Sequence, residues 1–251
     1  MEYAVRFDSV IKYYSTGLVV RRRVTALQNV TFTIPYGSVV GLVGPNRSGK
    51  TTVLKILLSL CRPTSGYVER LGRHVSDIRT LTRVGYMHEN HAFPYYLSAK
   101  EVLYLYGAMS GLKGVHLRRC VEAELARVGL VDRQDDLIQT YSKGMIQRLG
   151  LAQAMLTQPD LVVFDEPTEG LDIFGRQLLR QVISELRAAG KTVLLVSHSL
   201  VEIEQLCNHL IILVNGKIVY DGALDDLYKC QNSHQSFELI LKSIYDRGTA
   251  A

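Results

Sequence analysis

No apolar run in this 251-residue chain approaches the ~18 residues that would suggest a membrane span. Its most apolar stretches, such as Thr192-Val193-Leu194-Leu195-Val196, are strand-length. The first residues, Met1-Glu2-Tyr3-Ala4-Val5-Arg6, lack the apolar core of a secretory signal. Both absences lead us to expect a chain made and kept in the cytosol. The four cysteines, Cys61, Cys120, Cys207 and Cys230, contain no C-x-x-C pair. They read as idle thiols in a reducing compartment, not as a disulfide framework or a zinc site. Internal repeats and low-complexity tracts are also missing. Charge is nearly balanced at +5, and the one dense cluster, Arg21-Arg22-Arg23, reads as a solvated loop in preference to a nucleic-acid or acidic-lipid contact. Hydrophobic content of 47% is ordinary for a globular protein, and the length allows one large domain with a substantial core.

The order of elements is more informative. Residues 3–43 read as strands: an alternating run Tyr3–Val10, then Val30–Ile34, a turn at Pro35-Tyr36-Gly37, and apolar Val39–Val43. A helix follows from about Lys50 to Leu60, then strands at Gly66–Leu71 and Val84–Met87. From about 91 to 157 the pattern turns helical, with Ser98-Ala99-Lys100-Glu101 as a capping box, a second helix at about Leu117–Val128 and a third at Lys143–Thr157. Strands and helices then alternate: Leu161–Phe164, Ile173–Ala189, Thr192–Ser197, Leu200–Cys207, Leu210–Val214. Asn215-Gly216 marks a hairpin into Ile218–Tyr220. A short helical tail, Ser236–Asp246, ends the pattern. This is an α/β core interrupted by a helical insertion.

Between strand Val39–Val43 and the helix after it lies Gly44-Pro45-Asn46-Arg47-Ser48-Gly49-Lys50-Thr51-Thr52, a phosphate-binding loop of the G-x-x-x-x-G-K-[ST] type. Glycines 44 and 49 let backbone amides approach phosphate oxygens. Lys50 supplies a point charge, the Thr51 hydroxyl is a Mg²⁺ ligand, and Thr52 extends the amide cradle. Leu161–Phe164 ends in Asp165-Glu166, two acids delivered by a buried strand. One can hold a metal and the other can polarise water. Tyr141-Ser142-Lys143-Gly144-Met145 is a Ser/Gly turn opening a helix whose first amides can hold an anion. His198 follows strand Thr192–Ser197 and so lies at a sheet edge. His88 and His91 lack a third ligand at supporting spacing, which argues against a metal pair.

In this order and spacing, residues 3–230 resemble the nucleotide-binding subunit of an ATP-binding cassette (ABC) transporter. Tyr141-Ser142-Lys143-Gly144-Met145 with Gly85-Tyr86-x-x-Glu89 looks like the ABC-2 exporter type. The resemblance implies a P-loop NTPase core of ABC ATPase type with an N-terminal antiparallel β subdomain and an inserted α-helical subdomain. It places the ATPase domain at 1–230, the insertion at about 91–157 and a helical tail at 231–251. It implies ATP and Mg²⁺ as ligands, with Thr51 and Asp165 on the metal, Glu166 on the attacking water and His198 on the γ-phosphate. Tyr14 resembles the aromatic that stacks on adenine, with Tyr13 the competing choice. Glu89 stands where the family usually has Gln, and no Gln occurs between Gln28 and Gln134. Arg47 stands where Gly is common, so its backbone either avoids a left-handed conformation or accepts its cost.

Ser142 and Gly144 belong to the signature segment, which by resemblance caps ATP bound to a partner subunit in a head-to-tail dimer. Asp172 closes the D-loop-like turn Thr168-Glu169-Gly170-Leu171-Asp172. Expected partners are a separate transmembrane permease subunit and a second copy or a related nucleotide-binding subunit, at the cytoplasmic face of the membrane, with no nucleic acid. Phe93, Tyr95 and Tyr96 are either core or a groove for the permease. The competing function is a soluble ABC ATPase acting on DNA or ribosomes. Those usually carry a long coiled-coil insertion or a second cassette, and neither is present here.

Overall fold

The computed structural model describes residues 2–16, 22–230 and 237–250. They form two compact units, one of residues 1–80 with 195–251 and one of residues 81–194.

In the first unit, β1 (Tyr3–Thr16) and β2 (Arg22–Pro35) make a long antiparallel pair. Both exceed the strands the alternation predicts. Beyond Val10 the ladder continues through Lys12↔Leu27 and Tyr14↔Val24, so pairing satisfies backbone groups where side-chain alternation has faded. Of the expected basic loop, Arg22 and Arg23 instead begin β2, and Arg21 lies outside the described residues. Ser9 and Asn29 take positive φ (both 52°) where the register shifts between Phe7 and Val10. Phe7 and Phe32 stack at 4.5 Å on the buried face. The fully buried β3 (Val39–Val43) leads to α1 (Lys50–Leu57). The helix stops short of Leu60 because Ser59 turns left-handed (φ 60°) and Leu60 N–H returns to Lys55 O at 2.8 Å, a Schellman closure. β4 (Ser65–Arg70) and β5 (Arg73–His74) complete a sheet in the order β2-β1-β4-β5, all antiparallel.

In the second unit, β6 (Val84–Met87) pairs in parallel with β7, from Val84↔Leu161 to Met87↔Phe164. Between them come α2 (Ala99–Met109), α3 (Gly114–Arg127) and α4 (Lys143–Met155). Both halves of the predicted capping box form: Glu101 N–H donates to Ser98 Oγ at 3.2 Å, and Ser98 N–H to Glu101 Oε2 at 2.8 Å. β7 (Leu161–Asp165) is buried up to its last residue, and α5 (Ile173–Ala188) follows, with Leu179, Val182, Ile183 and Leu186 on its buried face. Each such side chain contributes about 1.5–3 kcal/mol on burial. β8 (Thr192–Val196) falls at the boundary between the units in sequence.

Back in the first unit are α6 (Leu200–Leu206), β9 (His209–Val214), β10 (Lys217–Ala223), α7 (Leu224–Cys230) and α8 (Phe237–Ala250). β9 runs parallel to β3 and antiparallel to β10. The sequence pattern did not suggest α7, and the expected first residue of the tail helix, Ser236, lies outside the described residues. Among the described residues, no helix is long and apolar enough to cross a membrane.

Candidate active site

Burial of β3 and α1 fixes where the loop between them emerges. It is braced from behind: Gly216 N–H donates to Ser48 O at 2.8 Å. A Cβ at Gly44 would stand 2.1 Å from Leu213 O, and one at Gly49 would stand 2.6 Å from Ala26 O. Only glycine fits at either position, and Gly49 also needs its φ of 113°. Lys50 is buried and curls back over the loop, its Nζ donating to Gly44 O at 2.6 Å and Pro45 O at 3.1 Å. Asn46 and Arg47 are exposed, as is Thr51, while Ser48 and Thr52 are buried. Arg47 accepts the left-handed backbone, with φ 66°, a conformation that costs about 1–2 kcal/mol outside glycine.

Tyr14 hydrogen-bonds the Thr52 side chain and places its hydroxyl 3.7 Å from Cys61 Sγ; burial, followed by smaller effects of these neighbours, sets its pKa above the ordinary value. Lys12 Nζ lies 5.0 Å from the Tyr14 ring centre. Tyr13 is exposed, with Arg23 5.9 Å from its ring. Tyr14 is therefore the aromatic beside the phosphate-loop helix. His198 sits exposed in the short link between β8 and α6. That link is shaped by buried Ser197, whose Oγ donates to Glu202 Oε2 at 3.3 Å and accepts from Ser199 N–H at 3.0 Å.

In the second unit, β7 delivers Asp165 at its end, and Glu166 turns the chain with φ 49°. Tyr86 Oη donates to Asp165 Oδ2 at 3.4 Å. Burial first, then the charges of Asp165 and Glu89, push the Tyr86 pKa upward, so both acids act on one phenol. Sequence reasoning named Tyr86 within Gly85-Tyr86-x-x-Glu89 but gave it no contact with Asp165. Glu89 follows β6 and is half-buried. Ser142 is exposed and caps α4, accepting from Met145 N–H at 3.3 Å, with Gly144 in the first turn. Lys143 pairs with Glu169 at 3.0 Å. Glu169 is held below its ordinary pKa by Lys143 first, with a smaller effect from its hydrogen bond with Glu89. The signature segment, the turn after Glu166 and the Glu89 loop thus meet within one unit. Asp172 caps α5, accepting from Gly175 N–H at 2.7 Å. Of the aromatics, Phe93 packs between His91 and Tyr106, whereas Tyr95 and Tyr96 are each 65% exposed.

A glycine loop that closes on backbone and a strand ending in paired acids define a P-loop nucleotide hydrolase. Comparison with known proteins makes the class specific. The ABC transporter family profile matches residues 27–169. An ABC transporter ATP-binding protein of Nostoc sp. is 40% identical over 89% of this chain and 67% of its own length. The bacitracin transport ATP-binding protein of Bacillus licheniformis is 34% identical over 85% of this chain and 70% of its own. A dimeric ATP-binding cassette, MJ0796, solved in a post-hydrolysis state with ADP and Pi, superimposes with a TM-score of 0.79 at 26% identity, covering 88% of this chain and 98% of that one. The chain belongs to the ABC transporter family, as an ATP-binding and ATP-hydrolysing subunit.

Proposed function

We propose that this subunit works as a head-to-tail dimer, with a second copy or a related chain, and energises export or membrane remodelling by a separate transmembrane subunit at the cytoplasmic face of the membrane. The observation that carries the reading is the presence, in one chain, of a preformed phosphate loop and an exposed, Ser142-capped helix start of the signature type. A chain with both can give and receive the two halves of a sandwiched nucleotide.

In this reading the amides of residues 44–52 and the Lys50 ammonium hold the phosphates, and Tyr14 stacks on adenine. The loop suits phosphate because Gly44 and Gly49, pressed against Leu213 and Ala26 behind it, put no side chain between its backbone amides and an oxyanion. Thr51 and Asp165, with Glu89 as a further oxygen donor, would hold Mg²⁺, which would supply positive charge to the phosphate oxygens. Glu166 polarises the attacking water, and His198 fixes the γ-phosphate and that water in line. Ser142 and Gly144 close over the partner's nucleotide, and Asp172 sets the turn beside them. Tyr95 and Tyr96, exposed just beyond Glu89, form the surface offered to the transmembrane subunit.

The test is steady-state ATP turnover with and without EDTA. Turnover should require Mg²⁺ and vanish in Lys50→Ala. Glu166→Gln should still bind ATP but hydrolyse it about 10²–10⁴-fold more slowly. Wild-type turnover by Glu166→Gln would sink the role given to that residue.

A further inference from the structure

The middle of α4 carries a second feature, separate from its Ser142 end. Gln147 and Gly150 lie one turn apart on the same helix face. Gln147 is 3% exposed, and its Nε2 donates to the backbone carbonyl of Glu89 at 2.9 Å. The His91 ring lies directly over Gly150: a Cβ there would stand 2.0 Å from His91 Nε2 and 2.2 Å from Cε1. On its other side the ring stacks on Phe93, with centroids 5.1 Å apart and planes 5° apart, and Phe93 meets Tyr106 of α2 edge-on at 6.1 Å.

Two buried atoms here are chemical complements. His91 Nε2 and Gln147 Oε1 both lack a hydrogen-bond partner in the static geometry, yet the imidazole interacts with the Gln147 side chain. A ring N–H donating to the amide oxygen satisfies both atoms, and buried polar groups are rarely left unmatched. Residues 88–93 have no strand or helix of their own to hold them. Their position against α4 rests on these side-chain contacts together with the Glu169 bridge from Glu89 to Lys143.

We propose that His91 is a positioning residue for ATP hydrolysis: by seating on Gly150 and pairing with Gln147, it locks the Glu89 loop to the signature helix, so that Glu89 and Ser142 move as one body. The lever is short. Gln147 lies five positions after Ser142, about 7.5 Å along the helix. The inference rests on the reading in which Glu89 attends the metal and Ser142 closes on the partner's nucleotide. It adds a link between those two events that neither residue supplies alone.

The experiment measures kcat and KM for ATP on the full chain. His91→Ala should lower kcat about tenfold, within the usual range of coupling effects, while KM stays within about twofold. His91→Gln, which can again present an N–H to Gln147, should recover most of the loss. In a Glu89→Ala background His91→Ala should add no further loss, because the loop then carries nothing to position. Gly150→Ala should reproduce the defect by displacing the ring, and the Gly150→Ala/His91→Ala pair should be no worse than either alone; this variant keeps the test open if His91→Ala does not fold. A kcat for His91→Ala within twofold of wild type overturns the lock and leaves the ATPase reading intact. So does a loss carried undiminished into the Glu89→Ala protein, which would mark a merely structural role. A wild-type chain that does not hydrolyse ATP overturns the underlying reading instead.

Discussion

Glu124 shows what a single side chain can do to the energetics of this molecule. It sits on α3 at 6% exposure, with Arg127 Nε 3.2 Å from its Oε2. Burial raises its pKa from 4.5 to about 7, against the opposing pull of Arg127. The folded chain thus holds this proton more tightly than the unfolded one. Its contribution to stability is full below about pH 4.5 and is lost as pH rises through about 7. Urea unfolding at pH 5 and pH 8 should show a decline on the order of 2 kcal/mol from this group, and Glu124→Gln should flatten it. An unchanged slope would mean Arg127 keeps the carboxylate ionised. None of this was legible in the sequence, where Glu124 is one acid among several on an amphipathic helix. That Lys50 and Thr51 open the helix after β3 and that Asp165 ends β7 was legible, because those motifs have fixed spacing. The contacts of Tyr86, His91 and Gln147 were not, since their partners lie far away in the chain.

At the scale of elements, the phosphate-loop helix depends on one buried arginine. Arg70, at the end of β4, is fully buried and donates to Leu57 O at the end of α1, to Ser59 Oγ at 3.0 Å, to Thr80 Oγ1 at 2.8 Å and to Asp77 O at 3.2 Å. A cation there complements the negative end of the helix dipole and satisfies carbonyls the helix leaves open. Burial lowers the Arg70 pKa, and Asp77 partly opposes that. Arg70→Met leaves these acceptors unmatched and should cost about 3–5 kcal/mol in urea unfolding; a loss below about 1 kcal/mol would show that water replaces the guanidinium. Element type and order were readable from periodicity except for α7 and the two-residue β5, and β6 matched residue for residue. Boundaries moved where tertiary contacts decide them: α1 ends early at left-handed Ser59, and β1 and β2 extend because each satisfies the other's backbone.

For the whole molecule, the question is assembly. Glu166→Gln with ATP should migrate as a dimer in size-exclusion chromatography, and adding Ser142→Arg should return it to monomer by crowding the partner's phosphates. A double variant that still dimerises with ATP removes the signature segment from the interface. Tyr95→Arg or Tyr96→Arg, each on an exposed ring, should fold and bind ATP yet fail to co-purify with the transmembrane subunit. Continued assembly of a working complex would move the coupling surface elsewhere, and unfolding would make the rings structural. The braced phosphate loop has its own consequence at this scale. Its backing, from Gly216, Leu213 and Ala26, belongs to the scaffold and not to the ligand. Nucleotide then arrives at a mould that has already set, so little conformational entropy remains to be lost on binding. In the dimer proposed above, the free energy of ATP capture is then left to act between one subunit and the next.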